Sequence, residues 1–282
     1  RQKHHVSYDS ELVHDKAFSL DSMQTLSSFF KEKTGKEFTI EAAKKLNLCR
    51  EYQGTLYPTI GGVLFSDNDL RETRFPYAKV ECALFKGNDS SHFLDQKTID
   101  QPLCLQPEET MAFVKRHINE SGTIEGVYTV RRWDFPLNAI REVIRNAVVH
   151  RDYSLRGKDI KVAVYKDMVE ITSPGRLLPS IDYGISATRQ SDIRNKVIAP
   201  LFRKTGLIDQ WGNGLKIISD AMSQYPEIEF RWKEAGLAFQ VQFAKREPGG
   251  TYAETETTSN TAKEPHTTNE SVITRHGTST EG

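Results

Sequence analysis

Residues 141–152 constrain the fold of this chain most, because they predict a helix with two opposed faces. Apolar residues recur there at helical spacing and would face a core; they are Ile140, Val143, Ile144, Ala147 and Val148. Glu142, Asn146 and His150 recur every four residues and form a second, polar stripe. Asparagine is unfavourable inside a helix, since its amide competes for backbone hydrogen bonds. We interpret the polar stripe as a site, with a solvated helix face as the alternative.

Composition limits the partners and the compartment. The chain has 282 residues, of which 37% are hydrophobic, enough for two modest domains with cores. Its 38 basic and 38 acidic residues give a net charge of +0, which argues against a protein that coats nucleic acid. The cysteines Cys49, Cys82 and Cys104 lie far apart, which predicts buried thiols and a cytoplasmic location. No apolar run approaches the roughly 18 residues of a membrane span, so no membrane contact is expected.

The chain divides into three predicted regions. Residues 1–125 would form an α+β accessory region, in which Asp21 caps the first helix and residues 80–84 alternate as a strand. In residues 126–246 a helix, a hairpin, two helices and a hairpin follow one another. This order predicts a two-layer α/β sandwich with a mixed, largely antiparallel sheet. Residues 247–282 are polar, offer little to bury and are expected to be disordered. The fold class is therefore α+β.

Three elements of the second region could build one nucleotide site. The side-chain oxygen of Asn146 suits Mg²⁺, and the carboxylate of Glu142 could act as a general base. A strand ends at residues 173–175, where a glycine allows close backbone approach to a ligand. A helix starts at residues 212–214, whose amides and helix dipole would favour phosphate. Each signal alone is weak, since glycine turns are common.

In this order the elements resemble the GHKL ATPase family, in which an ExxxNAxxH helix, a strand-end glycine turn and a Gly-x-Gly-Leu helix start surround ATP and Mg²⁺. The closer resemblance is to its RecG-like, Schlafen-associated branch. REVIRNAVVHRDYS at residues 141–154 carries it most specifically. The matching stretches span most of residues 126–246, and YPTIGGVLF at residues 57–65 also resembles this branch.

The resemblance implies ATP and Mg²⁺ as cofactors and assigns roles to residues. Glu142 would be the catalytic base and Asn146 the metal ligand; Asn146 would also contact the nucleotide together with His150, Ser173, Gly175, Arg194, Asn195, Gly212, Asn213 and Gly214. For Arg194 and Asn195, a cap on the following helix is the alternative. We expect slow Mg²⁺-dependent hydrolysis or none, with residues 177–190 as the candidate lid. The chain contains no GxxxxGK(S/T) phosphate loop, so it is not expected to be a helicase.

The resemblance also implies a biological context. The chain would be the core of a transcriptional regulator or nucleic-acid-transaction protein that reaches DNA or RNA through a domain outside this chain. Because related ATPases often work as dimers, a homodimer is a further expectation.

Two features favour less specific interpretations. Related enzymes carry an aspartate in the strand-end turn that reads adenine, whereas residues 172–175 contain no carboxylate. The alternative function is therefore a nucleotide-independent scaffold or dimerisation module that keeps the fold. The arginines near the stripe could meet phosphates, but we interpret them as a solvated, salt-bridged face; they are Arg131, Arg132, Arg141, Arg145 and Arg151.

Overall fold

The computed structural model describes residues 7–125, 128–177, 193–208 and 213–246, and side chains are described outside residues 121–130. The polar tail predicted at residues 247–282 lies outside the described residues. So do Gly212 and most of the candidate lid.

The described residues form helices and strands in alternating groups. The helices are α1 (Gln24–Thr34), α2 (Ile40–Lys45), α3 (Ile60–Leu64), α4 (Asp69–Arg74), α5 (Gln106–His117), α6 (Leu137–His150), α7 (Ile198–Lys204) and α8 (Gly214–Ser223). The strands are β1 (Cys49–Tyr52), β2 (Thr55–Pro58), β3 (Val80–Phe85), β4 (Phe93–Ile99), β5 (Glu120–Glu125), β6 (Tyr128–Trp133), β7 (Ile160–Val164), β8 (Met168–Pro174), β9 (Ile228–Ala235) and β10 (Ala238–Lys245).

A six-stranded sheet in the order β4-β3-β7-β8-β10-β9 forms one layer of the fold. Only β3 and β7 pair in parallel, and the other neighbours are antiparallel. Along one row of the sheet Val162, Ile171 and Val241 lie side by side and are buried. In the next row Lys161, Thr172 and Gln240 alternate to the opposite, more polar face. Helices cover the apolar face, so the predicted α+β class and two-layer sandwich are confirmed.

The sheet draws strands from both sides of residue 125. β3 lies in the predicted accessory region, yet it pairs with β7 over residues 80–84 and 160–164. Parallel neighbours need a long crossover connection, which here contains β4, α5, the β5–β6 hairpin and α6. The boundary drawn between residues 125 and 126 therefore does not coincide with an edge of the sheet.

The first helix begins differently from the prediction at Asp21. Ser19 caps a short 3₁₀ helix at Leu20–Met23, its hydroxyl oxygen accepting the Asp21 backbone N–H at 3.2 Å. α1 follows directly at Gln24. Asp21 therefore lies within the first turn of the 3₁₀ helix, where its negative charge interacts favourably with the helix dipole.

A buried carboxylate joins the first residues of the fold to α7. Asp9 is 0% exposed, and its oxygens accept the backbone N–H groups of Val197 and Ile198 at 2.7 and 2.9 Å. It also accepts the Lys196 N–H at 3.1 Å. These groups are the unpaired donors at the amino end of α7, so Asp9 caps a helix nearly 190 residues away in sequence.

The glycines of the IGG sequence permit close packing of α3. A Cβ on Gly62 would lie 2.0 Å from the carbonyl oxygen of Leu48, and one on Gly61 would lie 2.5 Å from Val197. Side chains at either position would push backbone or core atoms apart. The packing explains why two glycines occur in a helix that is otherwise apolar.

The three cysteines are buried and unpaired, as predicted. Burial raises the pKa of Cys49 to about 11, which keeps this thiol protonated and unreactive. Among the helices described, none combines the length and the apolar character that crossing a membrane requires.

Candidate functional site

The polar stripe of α6 is partly buried, because the helix lies between the sheet and α8. The predicted apolar face is confirmed: Ile140, Val143, Ile144, Ala147 and Val148 are all buried. Glu142 is only 6% exposed, so the solvated-face interpretation is wrong for this residue. The Asn146 side-chain N–H donates to Glu142 Oε1 at 3.2 Å. This bond uses the amide nitrogen and leaves the Asn146 carbonyl oxygen, the atom suited to a cation, outside the pair.

The amino end of α8 lies directly against this stripe. A Cβ on Gly214 would lie 2.5 Å from Glu142 Oε1 and 3.4 Å from Asn146 Nδ2. Only glycine allows this approach without moving the carboxylate. Asn213 precedes the helix without a side-chain cap hydrogen bond to it. The structure therefore brings together two of the three predicted elements, the stripe and the helix start.

The strand end packs against the carboxyl end of α6. The Ser173 hydroxyl donates to the Ala147 carbonyl oxygen at 2.9 Å, and this serine is buried. Gly175 has a φ of +113°, which favours glycine, and a Cβ there would lie 2.9 Å from Asp152 Cβ. The Ser173 hydroxyl thus joins β8 to α6 by a hydrogen bond. The sequence did not predict this structural role.

Arg194 and Asn195 close the carboxyl end of α6. Asn195 Nδ2 donates to the carbonyl oxygens of Val149 and Arg151, both at 2.8 Å. These are carbonyls that a helix leaves unpaired at its end. Arg194 Nη1 donates to Asp152 Oδ2 at 2.8 Å, and Nη2 donates to the Arg176 carbonyl oxygen. The alternative in which the pair caps the following helix is wrong for Asn195, which caps the preceding helix, while Asp9 caps α7.

A cavity of about 60 Å³ lies between α6 and the sheet. His150, at the last position of α6, lines it and is half-buried. Removal from water, with the positive charges of Arg194 and Arg203, lowers the pKa of His150 to about 4. The imidazole is therefore neutral near pH 7. Gly175, Arg176 and Ser173 also contribute to the wall, so this strand end and the stripe share one cavity.

Arg151 has a structural role that the sequence interpretation missed. It is 0% exposed, so the solvated-face interpretation is wrong for it. Its guanidinium donates to the Lys158 carbonyl oxygen at 2.5 Å. Its carbon Cζ lies 5.2 Å from the ring centre of Tyr77 and 4.7 Å from that of Tyr153. Carbonyl oxygens and aromatic faces thus compensate the burial of this charge.

A second, open groove is lined by Glu142 and by other residues of α6, α7 and α8. Three basic side chains line it, from Arg145, Arg203 and Lys216, and so do two acidic ones, from Glu142 and Asp220. Arg145 forms an ion pair with Glu108 at 2.7 Å. Arg203 and Lys216 were not predicted as site residues, because basic residues on helices carry no specific signal alone. Because Arg145 is paired with Glu108, the remaining basic and acidic side chains of the lining balance, and the groove has no marked preference for an anionic ligand.

The donor set fits a magnesium–phosphate complex better than a metal held by protein alone. No group of three or more His, Cys, Asp or Glu side chains in the described parts of the chain could hold a metal ion. Mg²⁺ commonly takes one or two protein oxygens and completes its shell with phosphate and water. The Asn146 carbonyl oxygen, which the bond to Glu142 does not use, can supply that protein ligand.

Residues 157–243 match the family described as "Putative ATP-dependent DNA helicase recG C-terminal". This match supports an ATPase-like domain related to the RecG C-terminal region. It covers less than a third of the chain and begins after Glu142, Asn146 and His150.

The fold has a counterpart among solved structures. It is similar to the crystal structure of the DIP2311 protein from Corynebacterium diphtheriae, with a TM-score of 0.68 and 18% sequence identity. The likeness covers 85% of this chain and 48% of that one, so this chain spans about half the length of that protein. At this identity the likeness shows the fold alone. No curated protein matches the chain by sequence.

Proposed function

We propose that the cleft formed by α6, the start of α8 and the end of β8 binds ATP together with Mg²⁺. One observation carries the proposal: the backbone at Gly214 lies directly against the Glu142–Asn146 pair. The positive end of the α8 dipole favours phosphate, and Asn146, which is bonded to the neighbouring Glu142, would supply its carbonyl oxygen to Mg²⁺.

In this proposal each residue has a defined task. Asn146 would hold Mg²⁺ through its carbonyl oxygen, and the ion would neutralise phosphate charge when bound. Glu142, hydrogen-bonded to Asn146, would orient a water and accept its proton. The amides at residues 212–214 would meet phosphate, and His150 would face the base. We expect slow hydrolysis at most.

We further propose the biological context that the resemblance implies. The domain would act in a RecG-like, Schlafen-associated transcriptional regulator or nucleic-acid-transaction protein, as a homodimer. Nucleic acid would be contacted through a domain outside this chain. Its neutral balance of 38 basic and 38 acidic residues fits a core that does not itself coat nucleic acid.

A scaffold function is the second candidate, and one observation favours it. The side chains of Ser173, Asn195 and Arg151 all donate to carbonyl oxygens of the same domain. Much of the characteristic sequence therefore stabilises the fold. A chain that kept only this role would retain these residues without binding a nucleotide.

Thermal unfolding with Mg·ATP tests the proposal directly. Ligand at ten times its dissociation constant stabilises a protein by about 1.4 kcal/mol, which raises the Tm measurably. Asn146→Ala should abolish this rise. Asn138→Ala, on the exposed amino end of the same helix, is the matched control and should keep it. If wild type shows no shift at millimolar Mg·ATP, the scaffold function replaces nucleotide binding.

Glu142→Ala separates binding from hydrolysis. It should retain the Mg·ATP shift and lose any turnover, because base catalysis contributes about 10²–10⁴-fold. Asn146→Ala should lose both. Turnover that survives Glu142→Ala would assign the base to another residue.

A further inference from the structure

The carboxylate of Asp9 joins two parts of the fold that are distant in sequence. Asp9 lies in a short 3₁₀ helix at Tyr8–Ser10 and is fully buried. The Ser7 hydroxyl donates to Asp9 Oδ1 at 2.6 Å, and the backbone N–H groups of residues 196–198 donate to the two carboxylate oxygens at 2.7–3.1 Å. A buried charge without such donors is costly, so the start of α7 cannot move away from this turn without a loss of stability.

The residues directly before these amides hold one end of the proposed nucleotide cleft. Asn195 Nδ2 donates to two carbonyl oxygens at the carboxyl end of α6. Arg194 lies in the wall of the cavity and donates to Asp152 and to the Arg176 carbonyl oxygen. Arg176 lines the same cavity. Asp9 therefore fixes the backbone from which the side chains of Arg194 and Asn195 reach the cleft.

α3 packs closely against the same junction. A Cβ on Gly61 would lie 2.5 Å from Val197 Cγ1 and 3.2 Å from the Asp9 carbonyl oxygen. The first turn, α3 and the start of α7 are thus in close contact. A densely packed junction transmits a displacement instead of absorbing it. A change at Asp9 should therefore reach Arg194 and Asn195.

Building on the proposed nucleotide site, we propose that Asp9 is a positioning residue for that site. Through the start of α7 it sets the placement of Arg194 and Asn195, and through them the placement of the end of α6. Within the described part of the chain, Asp9 is not one of the residues that line the cavity. A substitution at Asp9 should therefore weaken nucleotide binding without removing a group that contacts the nucleotide.

Asp9→Asn tests this on the full chain, because it replaces one carboxylate oxygen by an amide group that cannot accept a hydrogen bond. In calorimetry at a temperature at which both proteins are folded, the variant should bind Mg·ATP about tenfold more weakly than wild type. Hydrogen exchange should also become faster at the backbone amides of residues 147–150, at the end of α6. If exchange becomes faster in α7 alone, Asp9 acts only as a local cap and the inference is overturned.

Thr39→Ala is the matched control. Thr39 caps α2 by accepting the Ala42 backbone N–H at 3.2 Å, so the substitution destabilises the fold at another helix start. It should leave the affinity for Mg·ATP and the exchange at the end of α6 unchanged. If it changes both as much as Asp9→Asn does, the effect comes from lower stability and the inference is overturned.

A double variant tests the route through Asn195. Asn195→Ala removes the two hydrogen bonds to the end of α6, so exchange there should already be fast. Adding Asp9→Asn should raise this exchange by less than about twofold, because substitutions on one route are not additive. A fully additive increase would show that Asp9 reaches α6 without Asn195, and it would overturn the proposed route.

The other outcomes separate the inference from the proposed function. If wild type binds no Mg·ATP, the proposed function fails, and hydrogen exchange alone decides whether Asp9 positions the end of α6. If wild type binds Mg·ATP and Asp9→Asn binds it equally well, only the inference fails. Should Asp9→Asn not fold, Ser7→Ala removes the hydroxyl that donates to Asp9 and keeps the carboxylate. It should produce the same pattern with about a twofold loss of affinity, and unchanged binding and exchange would overturn the inference.

Discussion

His150 should make the stability of the fold depend on pH in a range where carboxylates change little. Removal from water and the charges of Arg194 and Arg203 lower its pKa from 6.5 to about 4. Above about pH 6.5 the ring is neutral in both the folded and the unfolded chain. As the pH falls from 6.5 towards 4, the unfolded chain takes up a proton and the folded chain does not, so stability is lost.

The magnitude follows from the size of the pKa shift. Each unit corresponds to about 1.36 kcal/mol, so the full shift is worth about 3 kcal/mol. Between about pH 7.5 and pH 5, linkage gives about 2 kcal/mol. Because the ring is half-buried, solvent screening reduces this, and we expect about 1–2 kcal/mol.

Urea unfolding of wild type and His150→Phe at several pH values measures the effect. The difference between the two proteins isolates this ring, since Asp95 and Glu81, whose carboxyl pKa values are lowered, titrate alike in both. The free energy of unfolding of wild type should fall more than that of the variant as the pH decreases. If the free energies of unfolding of the two proteins fall in parallel with pH, folding does not lower the pKa of His150. A wild type that gains relative stability at pH 5 would reveal an anionic partner for the imidazolium.

Further substitutions test packing and capping. Gly62→Ala should lower the free energy of unfolding by about 3 kcal/mol or more, because the new Cβ would meet the Leu48 backbone. Gly35→Ala should lower it by about 1 kcal/mol in the same denaturation assay, because the space there is open and only the φ of +69° is unfavourable. Asn195→Ala should cost about 2–3 kcal/mol by leaving two carbonyls of α6 without this donor, and amide exchange at the end of α6 should rise. Gly214→Ala should abolish the Mg·ATP shift while changing the apo free energy of unfolding by only about 1–2 kcal/mol; an unchanged shift would separate Gly214 from the site.

Local patterns predicted the elements better than their arrangement. The apolar face of α6 was predictable because helical periodicity depends only on neighbouring residues. The strand at residues 80–84 was predictable from alternation, but its parallel pairing with β7 was not. Parallel pairing joins residues about 80 positions apart, and no local pattern encodes it. The sheet therefore extends into a region that the sequence had assigned to an accessory role.

The same distinction applies to the candidate site. The order of motifs indicated that the Glu142–Asn146 stripe and the α8 start would meet, and they do. The roles of Ser173 and Asn195 could not be predicted, since their partners are backbone carbonyls of another element. Every residue has a backbone carbonyl, so the sequence does not show which carbonyl a side chain will bond. Whether these residues also contact nucleotide stays a prediction.

The Asp9 cap has a consequence for how this protein folds. Its hydrogen bonds close a loop of nearly 190 residues, and such distant contacts form late because chain closure costs entropy before any contact repays it. The amides of Lys196, Val197 and Ile198 should therefore exchange with solvent only when the whole domain opens. We therefore expect the amino end of α7, next to Arg194 and the cavity, to become ordered only once Asp9 is in place.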